Sequence, residues 1–174
     1  YKNLVQLVSR ANTEGMYYKP RVDKELLRKY SKGLICLSAC IAGEVPAWII
    51  RGDMYRAEKS LQEYLEIFGP ENYFIEIQNH GMAEEKIAMD GIIPLAKKYN
   101  LGLVATNDAH YLKKEDSEFH EVLLCIQTGK TLDDPNRMKF SSDDYYLKSP
   151  EEMAGIFREY PDAITNTVKI ASRC

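Results

Sequence analysis

The sequence predicts an α/β fold with parallel strands, about half of a β/α barrel followed by trailing helices. Three observations carry this. The apolar runs Leu34–Ser38, Tyr73–Gln78 and Leu101–Thr106 read as short buried strands. Helically patterned segments separate them, so the chain must cross over between strands, and crossovers make strands parallel. Residues able to do chemistry follow directly after the runs, where β/α folds collect ligands. Three strands are too few to close a barrel.

Taken in order, residues 1–12 place Leu4, Leu7, Val8 and Ala11 at helical spacing. Residues 13–22 form a loop broken by Gly15 and Pro20. Asp23 has the chemistry of a helix N-cap, opening a short helix that stops near Ser31-Lys32-Gly33. After the first strand, Pro46 can start a short helix through Ile50. Arg51-Gly52-Asp53 breaks and recaps the chain, and Ala57, Leu61, Leu65 and Phe68 lie on one face of a helix over 54–68. Gly69-Pro70 ends it, the second strand follows, and Asn79-His80-Gly81 is a turn. The helix over 83–99 turns Ile87, Ile92, Leu95 and Ala96 inward, with Asn100 past its end. Beyond the third strand, 115–127 is helical and Tyr145–Leu147 a short strand. Ser149 with Glu152 forms a capping box, and Pro161 opens a terminal helix reaching about Arg173.

Composition narrows the function. The 174 residues are 45% hydrophobic and 28% charged, ordinary for a globular domain. A chain of this size can bury roughly 70% of its unfolded surface. A net charge of −3 argues against a whole-surface grip on nucleic acid and leaves room for local basic patches. No run of 18 apolar residues marks a membrane span. The opening Tyr1-Lys2-Asn3-Leu4 is no signal peptide and reads as a cut into a longer chain. Cys36, Cys40, Cys125 and Cys174 match no zinc ribbon or redox pair and read as reduced thiols.

Asn107-Asp108-Ala109-His110 is the most suggestive segment. Two positions apart on an extended backbone, Asp108 and His110 can reach one metal, with hard oxygen from one and imidazole nitrogen from the other. The plainer alternative makes Asp108 a cap and buries His110 under a loop. Cys40, just past the first strand, has the donor chemistry for zinc but also the type's usual preference for inert packing. Cys36 reads as core, His80 as a surface turn residue, and His120 as a side chain on a charged helix. Tyr17-Tyr18-Lys19-Pro20-Arg21 joins aromatics to cations, a combination that can stack bases and hold phosphate through Lys19 and Arg21. Lys113-Lys114 and Arg137/Lys139 read as plain surface. Walker, dinucleotide-binding and nucleophile-elbow motifs are absent.

Five stretches together resemble one family: residues 1–23 (YKNLVQLVSRANTEGMYYKPRVD), 33–46 (GLICLSACIAGEVP), 103–112 (LVATNDAHYL), 123–140 (LLCIQTGKTLDDPNRMKF) and 145–153 (YYLKSPEEM). The family is the alpha subunit of bacterial DNA polymerase III, of the type without a built-in exonuclease domain, and the resemblance spans the chain. It implies the C-terminal half of an irregular seven-stranded PHP (polymerase and histidinol phosphatase) barrel over 1–140. Residues 141–174 would be a helical segment leading toward the polymerase palm. Cys40, Asp108 and His110 match ligand positions in a cluster of up to nine, with zinc or manganese as the metal; the other ligands lie upstream of the point that Tyr1 matches. For the parent it implies DNA-directed DNA synthesis with magnesium at carboxylates beyond Cys174, and metal-assisted phosphodiester hydrolysis, in the sense of 3′→5′ proofreading, in the PHP site. Expected partners are DNA, the sliding clamp, the clamp loader and an exonuclease subunit, in the cytoplasm at the nucleoid.

Two other readings compete. The PHP region can be a silent scaffold that braces the polymerase and docks a separate exonuclease. Or the chain can be a free phosphoesterase related to histidinol phosphatase, against which the polymerase-like stretches at 123–153 count. On any of these readings the isolated 174 residues should make no DNA, hydrolyse little and hold at most one weak metal site. Unpaired strand edges should make them self-associate.

Overall fold

The computed structural model describes all residues from 1 to 174. Helix α1 (Lys2–Thr13) buries Leu7 and Ala11. The expected loop after it contains a small antiparallel hairpin, β1 (Met16–Tyr17) and β2 (Lys19–Pro20). Tyr18 turns its corner with φ of 59°. Asp23 caps α2 (Lys24–Tyr30) as its sequence chemistry predicts, its carboxylate accepting from the Leu26 N–H at 2.8 Å.

The first strand is shorter than its apolar run. Only β3 (Cys36–Leu37) pairs regularly, and it is half-buried rather than buried. Its position explains this: it is an edge strand with a single neighbour, so one flank lies open. Helix α3 (Glu44–Ile50) follows, with Pro46 inside its first turn. Asp53 caps α4 (Met54–Phe68), accepting from the Arg56 N–H at 2.9 Å. The central strand β4 (Tyr73–Ile77) alternates strictly, with Tyr73, Ile75 and Ile77 buried and Phe74 and Glu76 on the more open face.

Helix α5 (Ala83–Lys98) directs Ala88, Ile92, Ile93, Leu95 and Ala96 into the core. Ile87, expected inward, is exposed; the buried stripe runs one position further along the helix. Then come β5 (Leu103–Ala105), a 3-10 turn at Lys114–Asp116, α6 (Ser117–Thr128), α7 (Pro150–Ile156) and α8 (Pro161–Ala171). The capping box of α7 forms as expected, with Ser149 and Glu152 bonding each other's backbone N–H groups at 3.2 and 2.7 Å. Tyr145–Leu147 makes no strand. It contributes one parallel bridge, Tyr111 to Tyr146.

The sheet order is β3-β4-β5, all parallel. One face carries Tyr73, Ile75 and Ile77 against α3, α4 and α5. Phe157 and Ala163, from the last thirty residues, complete the same core. Each large apolar side chain buried there contributes about 1.5–3 kcal/mol. Asn166 of α8 is buried and donates to the Leu103 carbonyl at 2.7 Å, tying that helix to β5. A polar knot joins α2, α3 and α4 at the margin of this core. Glu44 accepts from Lys24 (2.8 Å), Ser60 (2.8 Å) and Tyr64 (2.9 Å), and Tyr64 stacks on the buried Tyr73.

Helices α3 and α5 meet closely at Gly91. A Cβ there would sit 2.4 Å from Cγ2 of Ile49. Gly91→Ala gains helix propensity, about 1 kcal/mol, and overpacks the contact, which costs about 1–3 kcal/mol. The expected outcome is a less stable protein in urea titration. Ile49→Ala, which removes the clashing Cγ2, should cost less in the Gly91→Ala background than in the wild type.

Candidate functional site

Parallel pairing puts the C-terminal ends of all three strands on one rim. Ser38, Ala39 and Cys40 follow β3, Gln78 to His80 follow β4, and Thr106 to His110 follow β5. The outer two strands lie about 10 Å apart, two strand spacings. Two rim residues adopt left-handed backbone, Ala39 (φ 63°) and Asp108 (φ 50°). Aspartate tolerates this region better than most side chains.

Asp108 and His110 come together. Oδ1 of Asp108 lies 3.4 Å from Nε2 of His110, and both side chains are more than a third exposed. The His110 ring stands edge-on to Phe140 and Tyr145, centroids 4.7 and 5.7 Å away. Its backbone N–H donates to the Tyr145 carbonyl at 2.7 Å. His120, expected on a solvated helix face, joins this aromatic group beside His110 and Phe140. Burial and the neighbouring His110 hold its imidazole pKa below the ordinary value.

Cys40 is on the same rim but beyond β4. It lines a small cleft with Ala39, Glu76, Gln78 and Glu85. Cys36 lies within the sheet as expected. Burial, with Glu76 nearby, pushes its thiol up to about 11, so it stays protonated and is a poor ligand. On the open face of the sheet, Thr106 donates to Glu76 at 2.5 Å and Gln78 donates to Thr106 at 2.9 Å.

Lys19 and Arg21 lie elsewhere, on the exposed hairpin segment that packs chiefly on α1. The Arg21 guanidinium covers the Tyr17 ring at 4.9 Å, and Tyr18 projects fully into solvent. Cation and aromatic are therefore paired as the sequence suggests, away from the Asp108–His110 pair.

The residue that sequence reasoning missed is His80. It is 3% exposed, not a surface turn residue. Its Nδ1 faces Oε1 of Glu85 at 2.6 Å and its Nε2 faces the Asn107 carbonyl at 2.8 Å. Its backbone N–H donates to Oε2 of Glu85 at 2.6 Å, and its ring stacks on Tyr145 with centroids 4.1 Å apart. Both ring nitrogens face acceptors, so the ring carries both protons. Burial works against that charge, but the Glu85 carboxylate and the Asn107 carbonyl outweigh it and raise the pKa. Glu85 is likewise disfavoured by burial, yet its bonds to His80 hold its pKa below the usual range. A signal did exist in the sequence: Glu85 sits in the first turn of the helix after Asn-His-Gly, placed to take backbone N–H groups. The covering Tyr145 is 65 positions away and leaves no local trace.

Carboxylate, imidazole and thiol are suitable donors for zinc or manganese. Asp108 and His110 fit as one edge of such a site, with Cys40 along the same rim. Yet nowhere do three or more His, Cys, Asp or Glu side chains converge to hold an ion. These residues alone do not make a cage.

The PHP domain family profile matches residues 1–80. That match contains Cys40 and ends before Asp108. Along its whole length the chain is similar to a segment of the alpha subunit of DNA polymerase III. It is 51% identical over 174 residues to that subunit from Treponema pallidum, 50% over 177 to that from Thermus aquaticus and 39% over 174 to that from Borreliella burgdorferi. All of this chain is covered in each case. It spans only 15%, 14% and 15% of those relatives' lengths. No helix is long and apolar enough to cross a membrane.

The His80–Glu85 pair predicts a pH dependence. His80 has a raised native pKa, so its contribution to stability is complete below the ordinary value of 6.5 and is lost as pH rises through the raised one. Glu85 has a lowered native pKa, so its contribution is complete above 4.5 and is lost as pH falls through the lowered one. Stability from the pair is therefore greatest between these two ordinary values. Thermal melting from pH 4 to 9 should show the alkaline decline in the wild type and lose it in a His80→Phe, Glu85→Leu double variant.

Proposed function

We propose that this chain is part of a PHP domain within a replicative DNA polymerase III alpha subunit, whose intact form catalyses template-directed DNA synthesis. The alpha-subunit similarity across all 174 residues carries this reading. The three-stranded sheet is then the C-terminal half of the PHP barrel, running to about residue 140, and the following helices lead toward the polymerase. Carboxylates outside the chain would use magnesium for nucleotidyl transfer. Partners of the intact subunit are DNA, the clamp, the clamp loader and an exonuclease subunit, in the cytoplasm.

Within that parent, Asp108, His110 and Cys40 are proposed ligands of zinc or manganese, completed by donors from outside these residues. Bound metal supplies a water made acidic enough to attack a phosphodiester. What this chain contributes is the held orientation of the carboxylate and imidazole. Lys19 and Arg21 are proposed phosphate contacts on the approach of DNA, at a distance from that pair.

One observation favours the scaffold alternative. The rim is strongly built by hydrogen bonds, while only two donors meet. On that reading a metal, if held, stabilises the fold without hydrolysis.

Full-length subunit and its Asp108→Asn, His110→Ala variant separate these readings. The nuclease reading expects zinc or manganese in the wild type by elemental analysis, with release of 3′ nucleotides from primed DNA. Both should drop at least tenfold in the variant, with DNA synthesis retained. Metal retention without nucleotide release would leave the scaffold reading.

The isolated chain is expected to be inactive in both assays and to self-associate. The outer edge of β3 has no strand partner. Phe119, Leu123 and Ile126 of α6 form an apolar stripe with 62–72% of each residue exposed. Light scattering at micromolar concentration should give a mass above 20.0 kDa, and a strict monomer would contradict this.

A further inference from the structure

We propose that His80 is a positioning residue, whose imidazolium, neutralised by Glu85, grips the Asn107 carbonyl and so fixes the backbone from which Asp108 and His110 project. The proposal deepens the metal-site reading and rests on it for the use made of the loop, but the grip itself does not need the metal.

Three sets of contacts support it. First, the link crosses the rim. Glu85 lines the cleft that holds Cys40, His80 stands between, and Asn107 begins the Asp108–His110 segment. One bonded path thus joins the first turn of α5 to the loop after β5 through the turn after β4. Second, Asp108 is bracketed. Before it, the Asn107 carbonyl is held by His80, and the Asn107 amide donates to the Tyr146 carbonyl at 2.8 Å. After it, the His110 N–H donates to the Tyr145 carbonyl. A non-glycine residue at φ 50° persists where its neighbours over-determine it. Third, Tyr145 serves both sides, stacking flat on His80 while standing edge-on to His110. Removing the Nε2–H of His80 takes away one of the bracketing contacts without touching Asp108 or His110.

Two isosteric variants separate positioning from mere filling of space. An asparagine amide reproduces the Nδ1 side of histidine, and a glutamine amide reaches toward the Nε2 position. His80→Asn therefore keeps a donor for Glu85 and loses the Asn107 contact, whereas His80→Gln restores a donor for that carbonyl. Hydrogen exchange is followed by mass spectrometry on the full-length subunit without added metal, over 107–111, with β4 as internal control. The expected result is exchange about tenfold faster over 107–111 in His80→Asn, close to wild type in His80→Gln, and unchanged over Tyr73–Ile77 in both. Equal exchange in wild type and His80→Asn would overturn the proposal, as would a His80→Gln variant as loose as His80→Asn. Loss of protection in β4 would also overturn it, since the effect would be global. In a second arm, zinc titration should show His80→Asn binding about tenfold more weakly than wild type. A wild type that binds no zinc would remove the metal reading while the exchange result still decides the grip.

Discussion

The pairing of β4 on both flanks is the constraint on which the remaining geometry depends. A five-residue strand between parallel neighbours must have its backbone bonded on either side, and its alternation sends Tyr73, Ile75 and Ile77 to one face. Because both neighbours run the same way, their ends fall on one rim, and the loops carrying Cys40, His80 and Asp108 have no other place to go. A one-residue slip would exchange faces, placing Phe74 and Glu76 in the core and Ile75 in the open. The buried face sets the register, and the register sets the site.

What the sequence made legible follows the range over which the physics acts. Caps are local, so Asp23, Asp53 and Ser149 could be assigned from their neighbours and form the expected bonds. Strands and crossovers were legible because burial of β4 and β5 demands apolar runs. Strand length was not, because β3 loses pairing where its second neighbour is lacking, and an apolar run does not reveal whether a strand is central or at an edge. Tyr145–Leu147 shows a related limit. Its β-prone residues serve as a strap over the 107–111 loop, bonded through single carbonyls, and pattern alone cannot separate a strap from a strand.

The site was legible in part for the same reason. Asp108 and His110 stand two apart, and their meeting is a local matter of backbone geometry. Their relation to Cys40 is topological, and parallel strand order was enough to predict a shared rim. His80 required knowledge of distant groups. Asn-His-Gly is turn chemistry wherever it occurs, and only Tyr145 above the ring and the Asn107 carbonyl beside it make this one interior. A turn histidine followed by a first-turn glutamate can thus be read as a surface residue when it is a buried cation.

The use of an ion pair at this point has its own logic. Burying an imidazolium and a carboxylate costs desolvation that their attraction only partly offsets, and an apolar pair of similar volume would often be as stable or more so. Stability alone is therefore a weak reason for having His80 and Glu85 here. The charged pair supplies direction. Two ring N–H vectors at a fixed angle tie α5 to a single carbonyl at the end of β5, while an apolar pair would tolerate sliding by an ångström or more. On the proposed metal-site reading, a loop presenting Asp108 and His110 to a common ion could not accept that freedom, because metal coordination requires donors within a few tenths of an ångström. On that reading the desolvation cost of the pair falls where the loop's direction is used.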